Sequence, residues 1–122
     1  MAVLVDTNVL SALIRGDQSI ARVVFSIDSC INSIIYIELI QGSISKADVI
    51  EIERYLALFP YYAITEDITS EALRLIRKYS NSNGLMLADS FIAATCLIHS
   101  LELLTFNRYD FDFIKGIRLM KI

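Results

Sequence analysis

The stretch Ala2-Val3-Leu4-Val5-Asp6-Thr7-Asn8 decides the fold. Its apolar run reads as a buried strand. The strand ends on a carboxylate, and the polar pair Thr7-Asn8 opens an apolar helix. A charge in such a setting is costly unless something pairs with it. The same oddity recurs at Glu38, inside Ile34-Ile35-Tyr36-Ile37-Glu38-Leu39-Ile40. It recurs again at Asp89, inside Leu85-Met86-Leu87-Ala88-Asp89-Ser90-Phe91-Ile92, and less sharply at Asp110, after Leu103-Leu104-Thr105. Acids converging on one site with no obvious cationic partner point to a hard divalent cation such as Mg²⁺.

Outward from that start, strand and helix patterns alternate. Val3 to Val5 predicts a strand and Thr7 to Ile14 a helix, closed by Arg15-Gly16. Ser19 caps a short helix to Ser26. Cys30 to Asn32 is a short strand, and Ser33 caps a helix to Gln41 that Gly42 ends. Ser45 to Phe59 is helical until Pro60 stops it. Tyr62 to Ile64 is a strand. Thr65 caps a helix through Ser80 with Ile68, Ala72, Leu75, Ile76 and Tyr79 on one face, and Asn81 to Gly84 is a turn. Ala88 to Ser100 is a very apolar, central helix, followed by strands at Leu103–Thr105 and Arg118–Met120. This alternation predicts one α/β domain over residues 1–122, a three-layer α/β/α sandwich around a mainly parallel sheet. Such folds bind ligands beyond the C-terminal ends of the strands, where Asp6, Ser33, Thr65 and Thr105 fall.

Composition narrows the classes. The 122 residues are 55% hydrophobic with mean hydropathy +0.54. That surplus predicts an apolar core together with apolar surface that a partner covers. No apolar stretch approaches the ~18 residues that span a bilayer, and no basic leader opens the chain. A cytoplasmic protein without membrane attachment is the expectation. Cys30 and Cys96 lie among apolar neighbours and read as free buried thiols. With no CxxC and one His, a structural zinc site is not expected. Net charge −3 and a pI near 5.0 argue against a simple basic nucleic-acid binder. They do not argue against a metal-dependent nuclease, whose cations change the local field.

Each acid has an ordinary reading. Asp6 can cap the helix after it. Glu38 can share a solvent face with Tyr36 and Gln41. Asp89 can meet a helix dipole, and Asp110 can be a turn residue, with Asp112 a nearby competitor. Their coincidence, one near each of four strand–helix junctions, favours a shared site. Glu51, Glu53, Glu66, Asp67 and Glu71 fall on amphipathic or capping positions and read as solvated.

In order and spacing, these segments resemble the PIN-domain family, in particular the VapC-type toxins of bacterial toxin–antitoxin pairs. Val3 to Asn8, Asn32 to Leu39, Leu87 to Thr95 and Leu104 to Phe111 carry the resemblance. It implies an Mg²⁺- or Mn²⁺-dependent endoribonuclease acting on an RNA substrate, and a cognate antitoxin that occupies the site. It places Asp6, Glu38, Asp89 and Asp110 on the family's acidic positions. Thr7, Asn8, Thr105 and Asn107 fall on its polar positions, where they contact phosphate or orient the acids. Ile34 and Ile35 stand where many relatives carry a polar residue. The apolar surplus further predicts a homodimer. The competing classes are a non-catalytic PIN-like binding or scaffold module and a phospho-acceptor built around Asp6. The phospho-acceptor lacks the second Asp of haloacid-dehalogenase-type phosphatases, since Asn8 stands there, and the Lys that a receiver domain carries after a late strand.

Overall fold

Strand β1, Val3–Val5, is buried along its whole length. It is flanked by parallel neighbours on both edges: Leu4 pairs with Cys30 on one side and with Leu103 on the other. Its side chains are buried on both faces of the sheet as well, which is why its residues do not alternate. The computed structural model describes residues 1–122. Its elements are β1, α1 (Thr7–Ile14), α2 (Gln18–Ser26), β2 (Ser29–Asn32), α3 (Ser33–Gln41), α4 (Lys46–Leu56), β3 (Tyr61–Tyr62), α5 (Glu66–Asn83), α6 (Leu87–His99) and β4 (Glu102–Leu104). A 3₁₀ turn follows at Arg108–Asp110. The sheet is four-stranded, in the order β3-β2-β1-β4, with every pairing parallel. No helix is long and apolar enough to cross a membrane.

Parallel register sends the C-terminal ends of all four strands to one edge. One core cluster of 29 buried apolar residues runs from β1 through α6 to Phe111 and Ile114. Helix α6 buries Ile92, Ala93, Ala94 and Cys96, and α5 packs along it. This fixes the first turn of α6, with Asp89, beside the end of β1.

Several predicted boundaries differ in detail. Asp17, not Ser19, caps α2: its Oδ1 accepts the amides of Ser19 and Ile20 at 3.0 and 3.2 Å. Asn32, not Ser33, caps α3, accepting the Ile35 amide at 3.0 Å. The Ser33 hydroxyl is committed elsewhere, to the Tyr61 hydroxyl and the Ile64 amide. Helix α4 stops at Leu56 rather than Phe59, and β3 is Tyr61–Tyr62 rather than 62–64. Helix α5 absorbs the predicted turn and ends only at Gly84, whose φ of +72° supplies the left-handed cap. The last predicted strand, Arg118–Met120, is a single parallel bridge between Leu119 and Leu103.

Candidate active site

Asp6 leaves β1 with its backbone amide still bonded to the Leu104 carbonyl at 2.9 Å. Its side chain caps α1. Oδ1 accepts the Thr7 amide at 2.8 Å, and Oδ2 accepts the Thr105 hydroxyl at 2.7 Å. Thr105 is itself buried and its Oγ1 accepts the Asn107 amide at 3.0 Å. One hydroxyl thus links the end of β1 to the loop after β4. A second tie crosses the same gap, from the Phe106 amide to Asn8 Oδ1 at 3.3 Å.

Glu38 enters from α3, where the Thr7 hydroxyl donates to its Oε1 at 2.7 Å. The orientation of α3 rests on Asn32. This residue is fully buried, caps the helix, and donates from Nδ2 to Thr95 Oγ1 of α6 at 2.9 Å. Asp89 sits in the first turn of α6, where the helix dipole favours an anion. Unlike Asp6, it receives no hydrogen bond from any protein group. None of the four acids has a cation within salt-bridging distance; the chain's one ion pair, Arg74–Glu71, lies on α5.

Burial pushes the Asp6 carboxyl up, against the lowering pull of the Thr105 and Thr7 hydrogen bonds, with Glu38 and Asp110 raising it further. The Asp89 carboxyl is pushed up to about 6, first by burial and then by Asp6, Asp110 and Glu38. Like charges sharing one region thus make Asp6 and Asp89 harder to ionise.

The structure gathers Asp6, Glu38 and Asp89 around a cleft of about 290 Å³ lined also by Thr7, Asn8, Ser11 and Asn107, with no apolar residue. Thr105 stands behind the cleft and holds Asp6. Asp110 does not line it. It is an exposed residue of the 3₁₀ turn that acts on the site through its field. Sequence reasoning missed Ser11, which lies one helical turn after Thr7 on the same face of α1; the i to i+4 spacing was the available signal. It also left out Asn32, whose capping role was given to Ser33. His99 is exposed at the far end of α6, with its ring 4.4 Å from that of Tyr62, and takes no part.

The PIN-domain family model matches residues 3–115. The chain belongs to the PIN-domain family. Ribonuclease VapC10 of Mycobacterium tuberculosis is 32% identical over 121 residues, covering 95% of this chain and 90% of the relative. A toxin–antitoxin complex from Klebsiella pneumoniae contains a chain of the same fold: TM-score 0.81, 28% identity, 98% of this chain and 99% of that one covered. VapBC2 of Rickettsia felis, solved on a DNA fragment from its promoter, superimposes with a TM-score of 0.84 at 21% identity, with 98% of each chain covered. At that identity the likeness speaks for the fold.

PIN domains imply a divalent metal, and the donor set can be tested for it. No group of three Asp, Glu, His or Cys side chains is arranged as a ready-made cage. What the cleft offers is oxygen donors, unpaired carboxylates and room for water. Mg²⁺ takes that kind of site: it keeps several of its waters and binds through one or two carboxylates plus substrate phosphate. The residues fit a hydrated hard cation, and they do not fit zinc, which prefers thiolate and imidazole.

Proposed function

We propose that this PIN domain is an endoribonuclease, the toxin of a toxin–antitoxin pair, acting in the cytoplasm on RNA with Mg²⁺ or Mn²⁺ held in the Asp6–Glu38–Asp89 cleft. One observation carries the reading: three acids from three separate elements face one polar cleft, with no cation to neutralise them. The likeness to ribonuclease VapC10 over 95% of the chain supports it. A scaffold module has no use for such a cluster, whose mutual repulsion is a standing cost.

Asp6 and Asp89 are the residues that would hold the cation. Bound there, it would supply charge neutralisation on the phosphate and lower the pKa of attacking water. The chain's own groups do the rest. Thr7 and Thr105 each donate a hydroxyl proton to one carboxylate oxygen, which fixes the remaining lone pairs toward the cleft. Glu38 Oε2 is left to accept a proton from a water in the cleft, since Thr7 occupies Oε1. Asn8 and Asn107 line the wall where a phosphate oxygen would lie, and Asp110 adds negative field that favours cation uptake.

A second, larger cavity of about 410 Å³ opens from the same wall, sharing Thr7, Ser11 and Glu38 and continuing past Ile14, Leu39, Ile44 and Ile52. An antitoxin segment with apolar anchors and a basic side chain suits it, the cation reaching the acids along that route. Exposed Phe25, Ile37, Ile50, Leu58 and Tyr61 supply apolar surface for a homodimer.

The test is cleavage of single-stranded RNA by the purified chain. Internal cuts leaving 5′-phosphate and 3′-hydroxyl ends, abolished by EDTA and restored by Mg²⁺ or Mn²⁺, are expected. Cleavage that survives EDTA, or ends in a 2′,3′-cyclic phosphate, would overturn the metal-assisted route. Absence of any cleavage across both metals would return the chain to the scaffold class.

A further inference from the structure

We infer that the groove behind the loop after β4 binds the strand of the RNA substrate that leaves the acid cleft, gripping a phosphate with Arg108 and Lys121 and stacking a base on Phe106. The inference rests on the ribonuclease reading above and adds the path of the substrate.

The groove, about 450 Å³, is lined by Thr105, Phe106, Arg108, Met120, Lys121 and Ile122. It shares a wall with the cleft. Thr105, Phe106 and Arg108 face the groove, and Asn107, between them, faces the acids. The wall is held at fixed points: Thr105 by Asp6, and the Phe106 amide by Asn8. The two hollows have opposite charge. The cleft is lined by three acidic side chains and no cationic one, the groove by two cationic side chains and no acidic one. In a chain of net charge −3, that contrast is local design, not a by-product of a basic surface.

A polyanion cannot be drawn to the acids by their own field. It has to be held from beside them, and cations at the adjoining wall do this without neutralising the cleft. Arg108 is aimed as well as present: its Nη1 donates to the Met120 carbonyl at 3.1 Å, which anchors the guanidinium at the groove. Phe106 is 46% exposed, a large ring left in water beside two cations. Aromatic faces next to basic side chains are how single strands are bound with little regard to sequence. Lined by Met120 and Ile122 as well, the groove could hold an apolar peptide. The paired cations and the shared wall with the acids favour RNA.

The experiment uses the full chain carrying Asp89→Asn, so that RNA is bound and not consumed, and a fluorescein-labelled single-stranded RNA of roughly 10 nucleotides. Lys121→Gln should weaken binding several-fold and flatten the dependence of log affinity on log salt by about 0.7–1. Phe106→Ala should weaken binding roughly tenfold with the salt slope unchanged, and Phe106→Tyr should restore it. In the chain with Asp89 intact, both variants should raise KM and leave kcat near the parent value, because the side chains they change make no hydrogen bond to the acids, and the backbone tie from the Phe106 amide to Asn8 is kept. Both side chains are exposed, so loss of folding does not confound the result. If the parent cuts RNA while Lys121→Gln and Phe106→Ala bind and cut as well as it does, the groove inference falls and the ribonuclease reading stands. The same holds if they lose affinity only for the cognate antitoxin, which makes the groove a protein-docking surface. If the parent neither binds nor cuts RNA, both readings fall together.

Discussion

Asp6 and Asp89 line the same cleft and are treated in opposite ways. Asp6 has both oxygens engaged, one by an amide and one by a buried hydroxyl. Asp89 has only a helix terminus behind it and no protein donor at all. The first carboxylate is part of the architecture, because it caps α1 and ties β1 to the loop after β4. The second is half-buried and has no protein donor to offset burial and its neighbours' charges, which push its carboxyl up to about 6. The fold itself satisfies one acid and leaves the next without a protein donor, which on the reading proposed above is the acid with most to gain from a bound cation.

The strongest way to break this contrast is activity against stability. Asp6→Asn and Asp89→Asn should each lower RNA cleavage by on the order of 10²–10³-fold, the usual loss when one charge-positioning group is removed. Their stabilities should diverge. Asp6→Ala should cost about 1–2 kcal/mol by urea denaturation, as a cap and a buried acceptor are lost together. Asp89→Asn should leave stability unchanged or raise it. Equal destabilisation by both would end the distinction.

Divalent cations sharpen it next. Mg²⁺ or Mn²⁺ that binds the folded chain raises its melting temperature by mass action. The Asp6→Asn/Asp89→Asn double variant should lose most of that rise in a thermal scan, and an equal rise in the variant would remove these acids from metal binding. The pH profile follows in size. The Asp89 carboxyl is near 6 in the folded chain against 3.8 as its ordinary value. Between those values the folded state holds a proton that the unfolded state has lost. Metal-free stability should therefore fall as pH rises from about 4 to about 6, then level off with the full cost present. Asp6, raised in the same direction, adds to this fall. Urea midpoints measured across the window should show a shallower fall for Asp89→Asn. Smallest is Thr105→Val, which keeps the shape and deletes the hydroxyl on Asp6 Oδ2. A loss of about 1 kcal/mol in stability is expected, with a modest drop in cleavage rate.

Much of this was legible because it depends on local chemistry. A strand ending in Asp-Thr-Asn, a Glu inside an apolar helix and an Asp at the start of another are conflicts visible without coordinates. Parallel connectivity then brings their positions to one edge. The capping errors fall where two nearby residues compete for one role. Asp17 and Ser19, and Asn32 and Ser33, can all cap helices, and the backbone's turn into the helix selects between them. The overrun of α5 into Asn81–Asn83 has a similar cause, since polarity alone does not stop a helix and the left-handed residue at Gly84 does. Asp110 illustrates a different limit. Its spacing from β4 was readable, but whether a short 3₁₀ turn presents it to the cleft or beside it depends on loop geometry that spacing does not encode.

The Thr105–Asp6 hydrogen bond joins residues 99 positions apart, and this gives the cleft a place in time. A nascent chain carries Asp6 for 99 residues before Thr105 is added, and over that interval it has no Asn107 and no complete β4 to pair with β1. At about 5–20 residues per second that interval lasts several seconds. On the reading proposed above, in which the chain cuts RNA, this order of assembly is itself a safeguard: the cleft cannot take its final form before Thr105 and β4 have been made.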